Sequence, residues 1–315
     1  METPESLTSE QTSPFPANWT PAYIEQVGNE VGNAFTDYEN AWSQDRERLY
    51  RCWEDYNSIT KRSVSKLFSN VQLPIVQEII RVLHSRLWDA VGSANPLILV
   101  DPVGQIAPSE AGDYGTMERA AGILQQVENG LYDAGGGRKE AMLLILDGLM
   151  YGRMVGVSGW EQIFAEDARS WYPAMEYPVG KRESPYALMW DPRGSDIQAC
   201  VRTFRTIHLT EEEAVKRSQM GYFAKDGVDK LNFKSTPYTS ASRYRQYEME
   251  ARKEQDALAS SGVADAVEAL LRLDPDKNGK PTMHYAWLDP ATNKLLGARP
   301  CTYLGGKRPL VIGYL

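Results

Sequence analysis

Apolar residues spaced three and four apart dominate the first half of the chain, and continuous or alternating apolar runs dominate the second. Between 35 and 56, Phe35, Tyr38, Trp42, Leu49, Trp53 and Tyr56 fall at helical spacing. Asp45, Arg46, Glu47, Arg48, Arg51 and Asp55 are left mainly for the other faces. Pro74 suits the first turn of a second helix, expected to bury Val76, Ile79, Ile80, Leu83, Leu87 and Val91 and to stop at Gly92. PLILVDP reads as a short strand bounded by prolines. A third helix is expected from about Thr116, with Ala120, Leu124, Val127 and Leu131 on one stripe. DAGGGRKE interrupts the pattern, and Ala141–Met150 predicts a strongly apolar, mostly buried helix ending near Gly152.

The pattern then changes. MVGVSGWEQIF, YALMWDP and ACVRTFRTIHL read as β-segments. Thr210 followed by Glu211, Glu212 and Glu213 predicts a helix start, with Thr210 capping free amides and Glu213 completing a capping box. Residues 235–262 are polar and charged and read as an exposed, partly helical insertion. A helix is expected over 263–273, then the turn DPDKNGK and a hairpin of TMHYAWLD with KLLGARPCTYL. The closing run KRPLVIGYL is apolar and strand-like, which reads as an interior piece of a longer polypeptide.

These elements predict an α+β protein in four stretches: 1–34, 35–234, 235–262 and 263–315. The first is a flexible arm rich in Ser, Thr, Pro, Asn and Glu, ordered by a partner if at all. The second is a helical and β core, the third the polar insertion, and the fourth a helix with a closing hairpin. Net charge sharpens the division. The formal total is −8, yet residues 1–44 hold seven acids and no Lys or Arg, leaving 35 acids and 34 bases over 45–315. A nearly neutral body argues against a protein that coats nucleic acid, because that affinity comes from clustered cations.

Motifs for chemistry are sparse. Cys52, Cys200 and Cys301 form no CxxC pair and no even framework, which fits a reducing compartment. METPESLTSEQTSPFPANWTP lacks the basic and apolar regions of a secretory signal, and AMLLILDGLMYG is too short to span a bilayer. His84, His208 and His284 stand apart, without HExxH or a neighbouring cysteine. No GxSxG elbow occurs, and GGGRKE and GGKRP lack the order of a phosphate loop. Asp274-Pro-Asp276-Lys-Asn278-Gly279 copies half of a calcium loop, but Tyr285 stands at the twelfth position where Glu is needed, so it reads as a turn. No catalytic, cofactor or metal residues are therefore assigned. Eight Trp and seventeen Tyr remain. Trp42, Trp53 and Trp88 are either helix core or anchors between subunits. Arg46, Arg48 and Arg51 are either a solvated face or groups reaching a neighbouring chain.

The succession RERLYRCWEDYN, NVQLPIVQEIIRVLHSRLWDAVGSANPLILVDP and AMLLILDGLMYGRMVGVSGWE resembles the N-terminal half of tailed-bacteriophage portal proteins, podovirus-type head-to-tail connectors above all. YALMWDPRGSDIQACVRTFRTIHLTEEEAVKRSQMGYF is similar to that family's strand, Asp-Pro turn, strand and helix, and HYAWLD with GKRPLVIGYL to its closing hairpin and strand. The resemblance covers roughly residues 35–315 apart from the insertion, on patterns of moderate specificity. It implies a helix-rich wing with a small mixed or antiparallel β region. It implies a dodecameric homo-oligomeric ring in the virion, at the portal vertex of the capsid, assembled in the host cytoplasm. Implied partners are the major capsid protein, terminase, tail adaptor proteins and double-stranded DNA passing through the channel, with no membrane. Channel helix, clip and crown would lie beyond Leu315. Two other readings stand beside it: a soluble enzyme with a dispersed carboxylate pair such as Asp147 and Asp191, and a monomeric protein-binding module.

Overall fold

The computed structural model describes residues 13–57, 74–92, 94, 111–163, 175–191, 196–233, 239–252, 262–275, 279–301 and 308–314. The chain is α+β, and it divides into two units: residues 1–51 with 186–308, and 52–185 with 309–315.

The first unit is built on a five-stranded antiparallel sheet. Its strands β3 (Leu188–Trp190), β4 (Arg202–Thr210), β5 (Val263–Leu273), β6 (Thr282–Asp289) and β7 (Lys294–Pro300) lie in that order. The β6–β7 hairpin matches the expectation from the sequence. Residues 263–273 do not: the expected helix is strand β5, at the centre of the sheet, with Ala264, Ala266, Val267, Ala269, Leu270 and Leu271 buried. VADAVEALLRL is composed of good helix formers. Burial between β4 and β6, with apolar residues on both faces, overrides that local preference.

Helix α1 (Pro21–Ala41) also belongs to this unit, so residues 21–34 are helical where an arm was expected. Thr20 accepts a hydrogen bond from the Tyr23 amide at 3.2 Å, and Pro21 supplies the fixed φ of a first turn. The preceding segment is tied down as well. The Ala298 amide on β7 donates to Pro14 O at 2.8 Å, and Trp19 is buried beside His284. Residues 1–12 lie outside the described residues. Gly28 and Gly32 let α1 approach the β6–β7 turn, since a Cβ at Gly32 would stand 2.4 Å from Asn293 Cγ. That turn holds Asn293 at φ 57 and is closed by Asp289, which accepts from the Ala291 amide at 3.0 Å and the Thr292 hydroxyl at 2.6 Å. Helix α2 (Ser43–Tyr56) follows a break at Trp42 rather than continuing one long helix; the division between units falls within it.

Around the sheet lie α6 (Glu211–Gln219), α7 (Lys225–Val228) and α8 (Ser240–Arg252). The Thr210–Glu213 capping box of α6 forms as the sequence predicts. Phe223, Val228 and Leu231 pack with Leu209, Ala266, Trp287 and Leu296 in one apolar cluster. Helix α8 occupies part of the expected polar insertion and buries Ala241.

The second unit contains α3 (Ile75–Gly92), α4 (Ala111–Ala134) and α5 (Gly137–Tyr151). They accompany the three-stranded antiparallel sheet β2 (Met175–Arg182), β1 (Arg153–Ile163) and β8 (Leu310–Tyr314), in the order β2-β1-β8. Glycines punctuate this unit where φ is positive. Gly136 (φ 70) separates α4 from α5, and Gly152 (φ 72) ends α5, its amide donating to Gly148 O at 2.8 Å. Helix α5 is less buried than its apolar sequence suggests: residues 141–146 are half-buried, and Asp147, Gly148 and Tyr151 are the buried positions of its second half. The expected strand PLILVDP lies outside the described residues, as do Asp276, Lys277 and Asn278 of the calcium-like turn.

Candidate functional site

Several polar constellations are accounted for by structure. Asp147 on α5 is buried and takes both guanidinium arms of Arg182 on β2, the Nη2 contact at 2.7 Å, while the Arg182 amide donates to Glu140 at 2.7 Å. Burial raises the Asp147 pKa, although Arg182 pulls against it. This carboxylate is an α5–β2 tie. Asp191, its partner in the carboxylate-pair reading, belongs to the other unit.

His208 does not stand apart, as the sequence suggested. It lies directly across the β4–β5 ladder from Asp265, with Nδ1 3.1 Å from Oδ1. Ser242 donates its hydroxyl to the same Oδ1 at 2.6 Å and sits 3.4 Å from the same Nδ1. A hydrolytic relay needs the serine on one imidazole nitrogen and the acid on the other, so this set has the residues of a triad without its geometry. What it does is hold α8: the Thr239 amide donates to Asp265 Oδ2 at 3.0 Å, and the Ser242 amide to Thr239 Oγ1 at 3.2 Å. Burial alone would raise the Asp265 pKa, but hydrogen bonds from His208, Ser242 and Thr239 outweigh it and lower the value.

The residues considered for subunit contact separate into two groups. Trp42 is buried, donating Nε1–H to Trp190 O at 2.8 Å. Arg46 is 1% exposed and bonds to Tyr186 O at 3.0 Å, to Glu39 and to Ser240. Trp53 is buried as well, and Trp88 half-buried with its ring over Gly92. Trp42, Arg46 and Trp53 are therefore no part of a surface open to a neighbour. Arg48 and Arg51 are exposed and pair along their own helix with Asp45 and Glu47.

The surface that sequence reading did not anticipate is aliphatic. On α3, Gln77, Ile80, His84 and Trp88 form the covered face, with His84 Nε2–H donating to Met142 O on α5 at 2.9 Å. Val76, Ile79, Leu83, Leu87 and Val91 were expected to be buried; with Ile75 and Val82 they lie 36–58% exposed. At 100° per residue most of these positions fill an arc about 140° wide in which Arg86 is the single charge. Helix α4 is turned the same way. Gln125, Glu128, Asn129 and Tyr132 are half-buried, whereas Ile123, Leu124 and Val127 are 48–64% exposed. The stripe is where its spacing predicts, but it faces solvent. Arg138 secures the helices between them, donating to Asp133 at 2.7 Å and to Gly92 O at 2.6 Å, where a cation suits the negative end of α3.

Among the described residues no group of His, Cys, Asp and Glu is arranged to hold a metal, and no helix is long and apolar enough to cross a membrane. Comparison with known proteins finds no matching family model and no matching curated protein.

Proposed function

We propose that this chain is a portal subunit of a tailed bacteriophage, one member of the ring at the capsid vertex through which DNA is packaged and ejected. The observation that carries the proposal is the pair of solvent-facing aliphatic stripes on α3 and α4. A lone protein seldom exposes apolar helix faces of this extent, and such faces mark surfaces that meet a partner. The sequence resemblance supplies the kind of assembly: a homo-oligomeric ring of twelve in the virion, contacting the major capsid protein, and later terminase and tail adaptors.

In this reading the protein works through shape and contact rather than bond chemistry. The formal charge of −8 leaves the chain without the dense excess of Lys and Arg that would hold DNA phosphates through counterion release. Native mass spectrometry and negative-stain electron microscopy of the purified protein test the proposal. Closed rings are expected; a monomer persisting at high concentration, with no ring in the images, would falsify it.

A further inference from the structure

We infer that neighbouring subunits meet head to tail, the α3 stripe of one against the α4 stripe of the next; this rests on the ring reading and specifies its contact. A closed ring needs two different, mutually complementary patches on each copy, whereas a two-fold dimer needs one patch that fits itself. The second unit carries two. They lie on separate helices and differ in make-up: α3 offers a broad arc containing Arg86, and α4 a narrower stripe whose exposed members, Ile123, Leu124 and Val127, are all aliphatic.

Size allows this pairing and charge favours it over α3 against α3. Together they expose roughly 900 Å² of aliphatic surface, over half of the ~1,600 Å² buried in a standard stable interface, before any polar rim is added. Pairing α3 with itself brings two Arg86 guanidiniums into one apolar seam. Pairing it with α4 brings one, with Arg119 and Glu128 flanking the α4 stripe on its two sides. Each face is thus covered by the other face on a second copy of this chain.

The test uses two variants, Ile79→Asp on α3 and Leu124→Asp on α4. Both positions are exposed, 54% and 48%, so circular dichroism spectra like the wild type's are expected. Each variant alone should sediment as a monomer. Mixed one to one they should form a dimer and nothing larger, because each retains the face the other has lost. If only Ile79→Asp prevents assembly, α3 pairs with itself and the head-to-tail contact is wrong. If the wild type forms rings and both variants do so equally well, the ring reading stands and this contact does not. A monomeric wild type overturns both.

Discussion

Buried titratable side chains give residue-scale expectations whose signs are fixed. His284 is 3% exposed, and its Nδ1 lies 2.9 Å from Thr282 O, an acceptor, so Nδ1 carries the hydrogen. Burial lowers its pKa, outweighing the Thr282 carbonyl. Between that lowered value and the unfolded value of about 6.5, the unfolded chain binds the additional proton. Stability from this group is complete above pH ~6.5 and falls as pH drops below it. Denaturant titrations from pH 7.5 to 5 should show the decline, and a His284→Phe variant should flatten it. Asp265 titrates lower, and its pKa is depressed, so its contribution is present above about pH 4 and is lost as pH falls through the folded value. Asp265→Ala leaves the donors of His208, Thr239 and Ser242 without their acceptor and should cost about 2–3 kcal/mol at neutral pH, measured by chemical denaturation.

Single elements show how far local chemistry reaches. Thr210 with Glu213 and Gly152 after α5 set helix ends that the sequence displays openly. Their partners lie within a few residues, so no distant contact can change the outcome. Thr20-Pro21 is an equally local start signal for α1. It was obscured because the surrounding composition is that of a disordered arm, and four apolar residues, Val27, Val31, Ala34 and Phe35, suffice to bury the face. Strand β5 is the opposite case: the Ala, Leu, Glu and Arg that dominate VADAVEALLRL favour a helix, and two neighbouring strands decide otherwise. The α1 contact is the place to test an element. Gly32→Val puts two methyls where Asn293 stands and should lower stability by about 2 kcal/mol or more, read as a shift in the urea midpoint.

At the scale of the whole molecule, the assembly proposed above would carry a signature of its own. Contacts made by aliphatic stripes depend on apolar burial, which weakens on cooling and is not screened by salt. The proposed rings are therefore expected to loosen between 25 and 4 °C and to persist from 0.1 to 1 M NaCl, as sedimentation velocity would report. An assembly held by Arg48 and Arg51 would respond the other way, losing cohesion in salt. Those two side chains already have acidic partners on their own helix, which removes much of their reason to reach outward.

The sequence by itself determined the helix and strand periods over most of the chain, the caps, the β6–β7 hairpin and the apolar stripe on α4, because each depends on residues close in the chain. The tertiary structure alone decided that β5 is a strand, that Trp42 and Arg46 point inward, that Asp265 gathers His208, Thr239 and Ser242, and that the stripes of α3 and α4 face outward. A hydrophobic period says which residues share a face. Which way that face looks is set by what the rest of the fold leaves uncovered, and no local spacing carries that information.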